Sequence, residues 1–172
     1  DDDSFDSQSF SYSIWFITNN TGVFTYMGSH YETDLESWYL RVNNVRTVTF
    51  HEANNKATSP LTYTDGEWHH AVGVKDGNTS TKLYIDGSEV ASTTASDVNY
   101  SDTAFLIGSL QGASGDHWNG SLDEPMFFNI SLNSSQVSDI YNNQSARFTS
   151  QGSQTLKQFN ITSGNNTINL TT

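Results

Sequence analysis

Hydrophobic side chains recur at every second position through much of this chain, and that period admits strands and little else. Phe10, Tyr12 and Ile14 alternate with Ser9, Ser11 and Ser13, and Ala71, Val72 and Val74, then Leu83 and Ile85, continue the theme. Successive strand residues point to opposite faces, so the pattern makes sheets whose apolar face must be covered by another layer. Turn signals punctuate the strands at Asn19–Gly22, Asn43–Asn44, Asp65–Gly66, Asp76–Asn78 and Asp86–Gly87. The last of these lies between Lys82–Ile85 and Glu89–Ala91 and predicts a two-residue hairpin, because both central positions of a type I′ turn need positive φ. Trp68–Lys75, Thr81–Ile85 and Ser88–Ser92 then form a local antiparallel meander. Many short strands with frequent turns give the fold class: all-β, a two-sheet antiparallel β-sandwich. One short helix interrupts it near 134–141, capped by Ser134 or Ser135 and carrying Val137, Ile140 and Tyr141 on one face. It is expected against a sheet edge or between the two sheets.

At 172 residues the chain has room for one core of ordinary size. Its longest apolar runs are far shorter than the roughly 20 residues of a spanning helix, so no membrane insertion is expected. Seven Lys and Arg stand singly against nineteen Asp and Glu, which excludes a phosphate-tracking surface and hence nucleic acid as a partner. A net charge of -12 suits a solvated face or oxygen-rich loops that hold calcium. The absence of cysteine fits either a reducing compartment or an exported protein that folds without disulfides. The chain opens on three aspartates with no signal peptide in view and reads as a mature or excised segment. Asn-x-Ser/Thr acceptors occur at Asn19, Asn78, Asn99, Asn119, Asn129, Asn133, Asn143, Asn160, Asn165 and Asn169. Seventeen Asn in a chain about one-quarter Ser and Thr predict about four by chance, so these ten favour an exported, extracellular or cell-surface glycoprotein.

From about Arg147 the composition shifts to uncharged Gln, Ser, Thr and Asn, with strand-like pieces at Leu156–Ile161 and Thr167–Thr171. The expected domains are therefore 1–146, the sandwich, and 147–172, a strand-forming extension or the edge of a following module.

Three motifs, Asp65–Val72 (Asp-Gly-Glu-Trp-His-His-Ala-Val), Leu83–Gly87 and Asn119–Glu124, closely resemble the laminin-G-like domains of the concanavalin-A-like lectin superfamily. With Ser9–Phe16 and Asn129–Tyr141 the resemblance covers roughly Asp1 to Gln144. It implies a jelly roll that binds ligands by its loops or its concave sheet. The absence of a disulfide points to the microbial branch of secreted enzymes and surface proteins. Family members begin with a further strand bearing an Asp-rich turn, and this chain is expected to begin after it. The vacant slot would be filled by Leu156–Thr171 folding back or by a strand from another copy of the chain.

Four groups of residues could carry chemistry. Trp15 and Trp68 are expected in the core. Trp38 and Tyr39 follow an acidic loop and are expected as exposed aromatics, and Trp118 as a ring under a loop with access to ligand; with Asp116 they make the candidate ligand-binding set. His69 and His70 are neighbours on a strand, face opposite ways and cannot share a metal, and His30, His51 and His117 show no ligand spacing. Asp123 lies where the resemblance places calcium, with Asp1–Asp3 and Asp6 as helpers. Glu32, Asp34 and Glu36 resemble the Glu-x-Asp-x-Glu strand of family 16 glycoside hydrolases, implying nucleophile, tuning residue and acid/base of a retaining mechanism.

The expected function is a non-catalytic extracellular binding or adhesion module that recognises a glycan or a surface protein. The alternatives are a filament or layer subunit assembling by strand exchange with like chains, and a glycoside hydrolase using Glu32, Asp34 and Glu36.

Overall fold

The computed structural model describes residues 9–19, 24–30, 37–98, 100, 105–110 and 117–148, together with the backbone of 159–163 and 166–170. In chain order the first strands are β1 (Phe10–Ile17), β2 (Thr25–His30), β3 (Trp38–Val42), β4 (Thr47–Glu52) and β5 (Asn55–Thr62). There follow β6 (His69–Asp76), β7 (Ser80–Ile85), β8 (Ser88–Thr93), β9 (Phe105–Ile107) and β10 (Ser121–Phe128). A helix, α1 (Ser134–Phe148), and two strands, β11 (Phe159–Ser163) and β12 (Asn166–Leu170), complete the order. The first ten strands form two five-stranded antiparallel sheets, β10-β1-β6-β7-β8 and β5-β4-β3-β2-β9.

Alternation builds the core as the sequence predicts. Phe10, Tyr12, Ile14 and Phe16 of β1 meet Trp38 and Leu40 of β3 and Val48 and Phe50 of β4 between the sheets. Rings interlock there, with Phe10 and Trp38 centred 5.1 Å apart and Tyr12 and Trp38 5.5 Å apart. Each such side chain contributes about 1.5–3 kcal/mol by leaving water. Glycines permit close contact between the sheets: a Cβ on Gly73 would stand 2.3 Å from the Phe50 ring. The Asp86–Gly87 turn has φ of 51° and 79°, as a type I′ hairpin requires.

An ion pair crosses the sandwich interior. Lys75 of β6 donates to Glu52 of β4 at 3.1 Å, with both side chains fully buried. Glu52 also accepts from the Tyr100 hydroxyl at 2.9 Å and the Ser96 amide at 3.0 Å, while Lys75 donates to the Ser96 carbonyl at 2.5 Å. The pair thus holds the segment that carries the chain from β8 of one sheet to β9 of the other. Burial first, then the Glu52 charge, pushes the Tyr100 hydroxyl far above its ordinary pKa, so it stays a donor.

The helix differs from expectation in three respects. Its N-cap is Asn133, which exchanges bonds with Gln136 in a capping box: Gln136 N–H to Asn133 Oδ1 and Asn133 N–H to Gln136 Oε1, each 2.9 Å. It runs to Phe148 rather than Tyr141, beyond the boundary expected at 146. It covers the outer face of the first sheet instead of an edge, forming a second small core. Trp15, fully buried and facing outward from β1, stacks on Phe148 at 4.3 Å and Tyr141 at 5.6 Å and donates to Gln144 at 2.7 Å. These contacts fix a last turn that the sequence does not advertise. Among the described residues no helix is long and apolar enough to cross a membrane.

The expected return of Leu156–Thr171 into the sandwich is corrected. β11 and β12 pair with each other as a separate two-stranded sheet, and among the described residues neither joins the other ten strands. One edge of each sheet carries a guard against strand addition. In β10, Glu124 (φ 48°) and Pro125 form a bulge opposite Ile14, and β5 carries Pro60.

Candidate functional site

One end of the sandwich presents a cleft of polar side chains. There β1 finishes and β10 starts, with Ile17 opposite Ser121 in the ladder. Thr18 donates to the Asn119 carbonyl at 2.6 Å, and the Gly66 amide donates to the Thr18 carbonyl at 3.2 Å. Gly120 makes the approach possible: its φ is 146°, and a Cβ there would lie 2.0 Å from the Ile17 carbonyl oxygen. The resulting cleft measures about 410 Å³ and is lined by Ile17, Thr18, Asn19, Asn119, Gly120 and Ser121. Asn19, Asn119 and Ser121 are exposed, and among the described residues their side-chain amides and hydroxyl have no partner. Such groups both donate and accept, which matches sugar hydroxyls.

Aromatic and charged groups brace this end. Trp118 packs edge-on against Phe16 at 5.8 Å, and its backbone N–H bonds to Gly108 at 2.8 Å. The indole nitrogen is buried beside Gly120 with no partner among the described residues. His69 is clamped between two carboxylates, Nδ1 to Asp86 at 2.8 Å and Nε2 to Asp65 at 3.2 Å. Burial opposes its charged form, but the bonds to Asp86 and then Asp65 outweigh it and raise the pKa. The clamp ties the loop at Asp65–Gly66 to the sheet, beside Asn19. His70, on the opposite face as expected, bonds Ser13 at 2.8 Å beneath α1.

The structure scatters the ligand-binding set. Trp38 is fully buried at the centre of the sandwich, so its expected exposure is corrected: it alternates with Tyr39 onto the face shared with Leu40 and Val42. Tyr39 faces outward from the second sheet but is 6% exposed, stacked on His51 at 4.3 Å. Beside it the Arg41 guanidinium lies 4.7 Å from the Tyr39 ring and 4.3 Å from Phe24 and donates to the Tyr26 hydroxyl at 3.0 Å. Trp118 is half-buried at the cleft, and Asp116 lies outside the described residues. The cleft residues Thr18 and Ser121 were missed. The available signal was the Asn119-Gly120-Ser121 triplet, whose glycine marks a close backbone approach.

Asp123 stands near the start of β10. Its carboxylate accepts from the Glu124 amide at 2.8 Å, and its charge acts on Arg147, which pairs with Glu124. Among the described residues no group of three His, Asp or Glu could hold a metal ion. Asp1–Asp3, Asp6, Glu32, Asp34 and Glu36 lie outside the described residues, as do the acceptors Asn99 and Asn165. Asn160 and Asn169 stand opposite each other in the β11–β12 ladder.

Comparison with known proteins agrees with this architecture. A protein of Bacteroides ovatus described as carbohydrate binding superposes with a TM-score of 0.65 at 15% identity, over 77% of this chain and 40% of that one. The binding domain of botulinum neurotoxin DC, in complex with SialylT, gives 0.58 at 12% identity, over 81% of this chain and 36% of that one. The CBM40 domain of the Ruminococcus gnavus IT-sialidase gives 0.64 at 14% identity, over 78% and 83% of the two chains. The chain thus spans about two fifths of the first two structures and most of the third. No curated protein matches the chain. A laminin-G family model, described as Concanavalin A-like lectin/glucanases superfamily, matches residues 1–138, and the chain belongs to that superfamily.

Proposed function

We propose that this domain is a non-catalytic carbohydrate-binding module of the cell exterior that holds a neutral oligosaccharide in the cleft between Asn19 and Asn119. The observation that carries the reading is the convergence of Asn19, Asn119 and Ser121, exposed and with side chains that make no hydrogen bond among the described residues, on one cleft beside a braced aromatic, Trp118. A volume near 410 Å³ falls within the range of small-ligand sites. Structural neighbours that bind glycans support a glycan as the ligand, among them the same CBM40 domain bound to α2,3-sialyllactose, and the neutral character proposed here rests on the uncharged lining of the cleft. The excess of Asn-x-Ser/Thr acceptors supports an exported setting.

Titration calorimetry against neutral oligosaccharides tests the reading. Asn19→Ala and Asn119→Ala each remove about 1–1.5 kcal/mol of hydrogen bonding, a roughly tenfold loss of affinity with unchanged melting temperature. Binding that survives both substitutions at full strength moves the site elsewhere. Turnover of β-glucans or galactans that Glu32→Gln abolishes would make the protein an enzyme instead. Strand exchange as the main function has less support, because the bulge and Pro125 on β10 and Pro60 on β5 oppose it at one edge of each sheet.

A further inference from the structure

The acceptor asparagines leave their side-chain nitrogens uncommitted, as several other asparagines do not. Six of the ten have described side chains, Asn19, Asn78, Asn119, Asn129, Asn133 and Asn143, and all six are exposed. Among the described residues none of the six donates from Nδ2, the atom that would carry a sugar; Asn133 caps α1 through Oδ1 alone. Three asparagines outside such triplets do commit that nitrogen. Asn43 donates to Thr47 and Thr49, Asn55 to Ser96 and Glu52, and Asn142 to Ser138.

The acceptors also divide by position. Asn78, Asn129 and Asn133 gather where β1 begins: Gly77 bonds Ser9, and Ser11 bonds Ile130 and Leu132. Asn19 and Asn119 lie where β1 ends, both lining the cleft. We infer that the cleft is gated by modification: an N-linked glycan on Asn19 or Asn119 occupies it and excludes an external sugar. This rests on the cleft-binding reading above. In the modifying step the Asn Nδ2–C1 bond forms and the C1–O bond to a lipid-linked oligosaccharide phosphate donor breaks. The phosphate leaves with the electron pair, and Nδ2 gives up one proton. A tethered sugar acts at an effective concentration of about a millimolar, enough to displace a free ligand that binds at roughly 0.1 mM by about tenfold.

The test produces the full chain in a host without N-glycosylation and in one with it, maps the glycopeptides by mass spectrometry, and titrates both products with neutral di- to tetrasaccharides. Sugar is expected on Asn19 or Asn119, with binding at least tenfold weaker than in the unmodified chain. The variant N78Q/N129Q/S135A, which removes the three acceptors gathered where β1 begins and keeps the Asn133 cap, is expected to stay blocked when glycosylated. Bare Asn19 and Asn119 in a chain glycosylated elsewhere overturn the inference, as does a modified cleft that binds at full affinity. An unmodified chain that binds no sugar overturns the cleft-binding reading itself and the gating with it.

Discussion

His70 makes the fold sensitive to mild acid, and the size of the effect follows from its surroundings. Its ring lies 5.1 Å from Trp15 and 6.1 Å from Tyr141, beneath α1, with Nε2 bonded to Ser13 and Nδ1 buried without a partner among the described residues. Burial drives its pKa from 6.5 down to about 4, against a smaller opposing pull from Asp86. The unfolded chain therefore takes up the proton first. The stability associated with a neutral His70 is complete above about pH 6.5 and is lost as pH falls toward 4. Over the whole window it amounts to about 3 kcal/mol, of which about 2 kcal/mol is lost between pH 7.5 and 5.0. Stopping at 5.0 leaves most carboxylates ionised. His69 has the opposite sign: its raised pKa gives stability that is complete below its unfolded value and lost as pH rises through its folded value. The wild-type profile is the sum of both, so a variant must separate them. Urea unfolding of the wild type and His70→Gln at the two pH values, followed by tryptophan fluorescence, does so. The variant's stability should change with pH by about 2 kcal/mol less in the destabilising direction. Equal slopes in the two proteins, or a His70 resonance titrating near 6.5 by NMR, would refute the reasoning.

Two further outcomes probe the interior. Lys75→Met strands the buried Glu52 carboxylate and should cost about 3–5 kcal/mol in chemical denaturation, while adding Glu52→Met should recover much of the loss, since it removes the stranded charge. A Glu52→Met addition that restores nothing would mean the pair's attraction is not what the single variant removes. Gly73→Ala forces a methyl against the Phe50 ring and should cost about 1–3 kcal/mol, and Gly73→Ala with Phe50→Leu should cost less than the sum of its parts in a double-mutant cycle. Strict additivity would contradict the contact.

The strands were legible because their signal is local. Period-two alternation placed β1 and β6 to β8, and Asp86-Gly87 located its hairpin to the residue. The same signal, applied consistently, would have placed Trp38 indoors: Trp38, Leu40 and Val42 alternate with Tyr39 and Arg41, and the acidic loop before them says nothing about facing. The end of α1 was illegible for a different reason. Asn142, Asn143, Gln144 and Ser145 hold no apolar spacing, and that turn is fixed by Gln144 and Phe148 docking on Trp15, whose partners lie far away in sequence.

The cleft escaped for the most general reason. Asn19 and Asn119 are a hundred residues apart, and what unites them is the antiparallel pairing that sets Ile17 against Ser121, together with a glycine that lets two backbones touch. A triplet such as Asn119-Gly120-Ser121 reads in isolation as an acceptor for sugar attachment; only the ladder shows that it faces a second acceptor across a cavity. Motif reading therefore named Asn19 and Asn119 and gave them one role each. Tertiary register supplies the possibility that the same amide nitrogens either bind a sugar or carry one, and the two uses exclude each other because they need the same space.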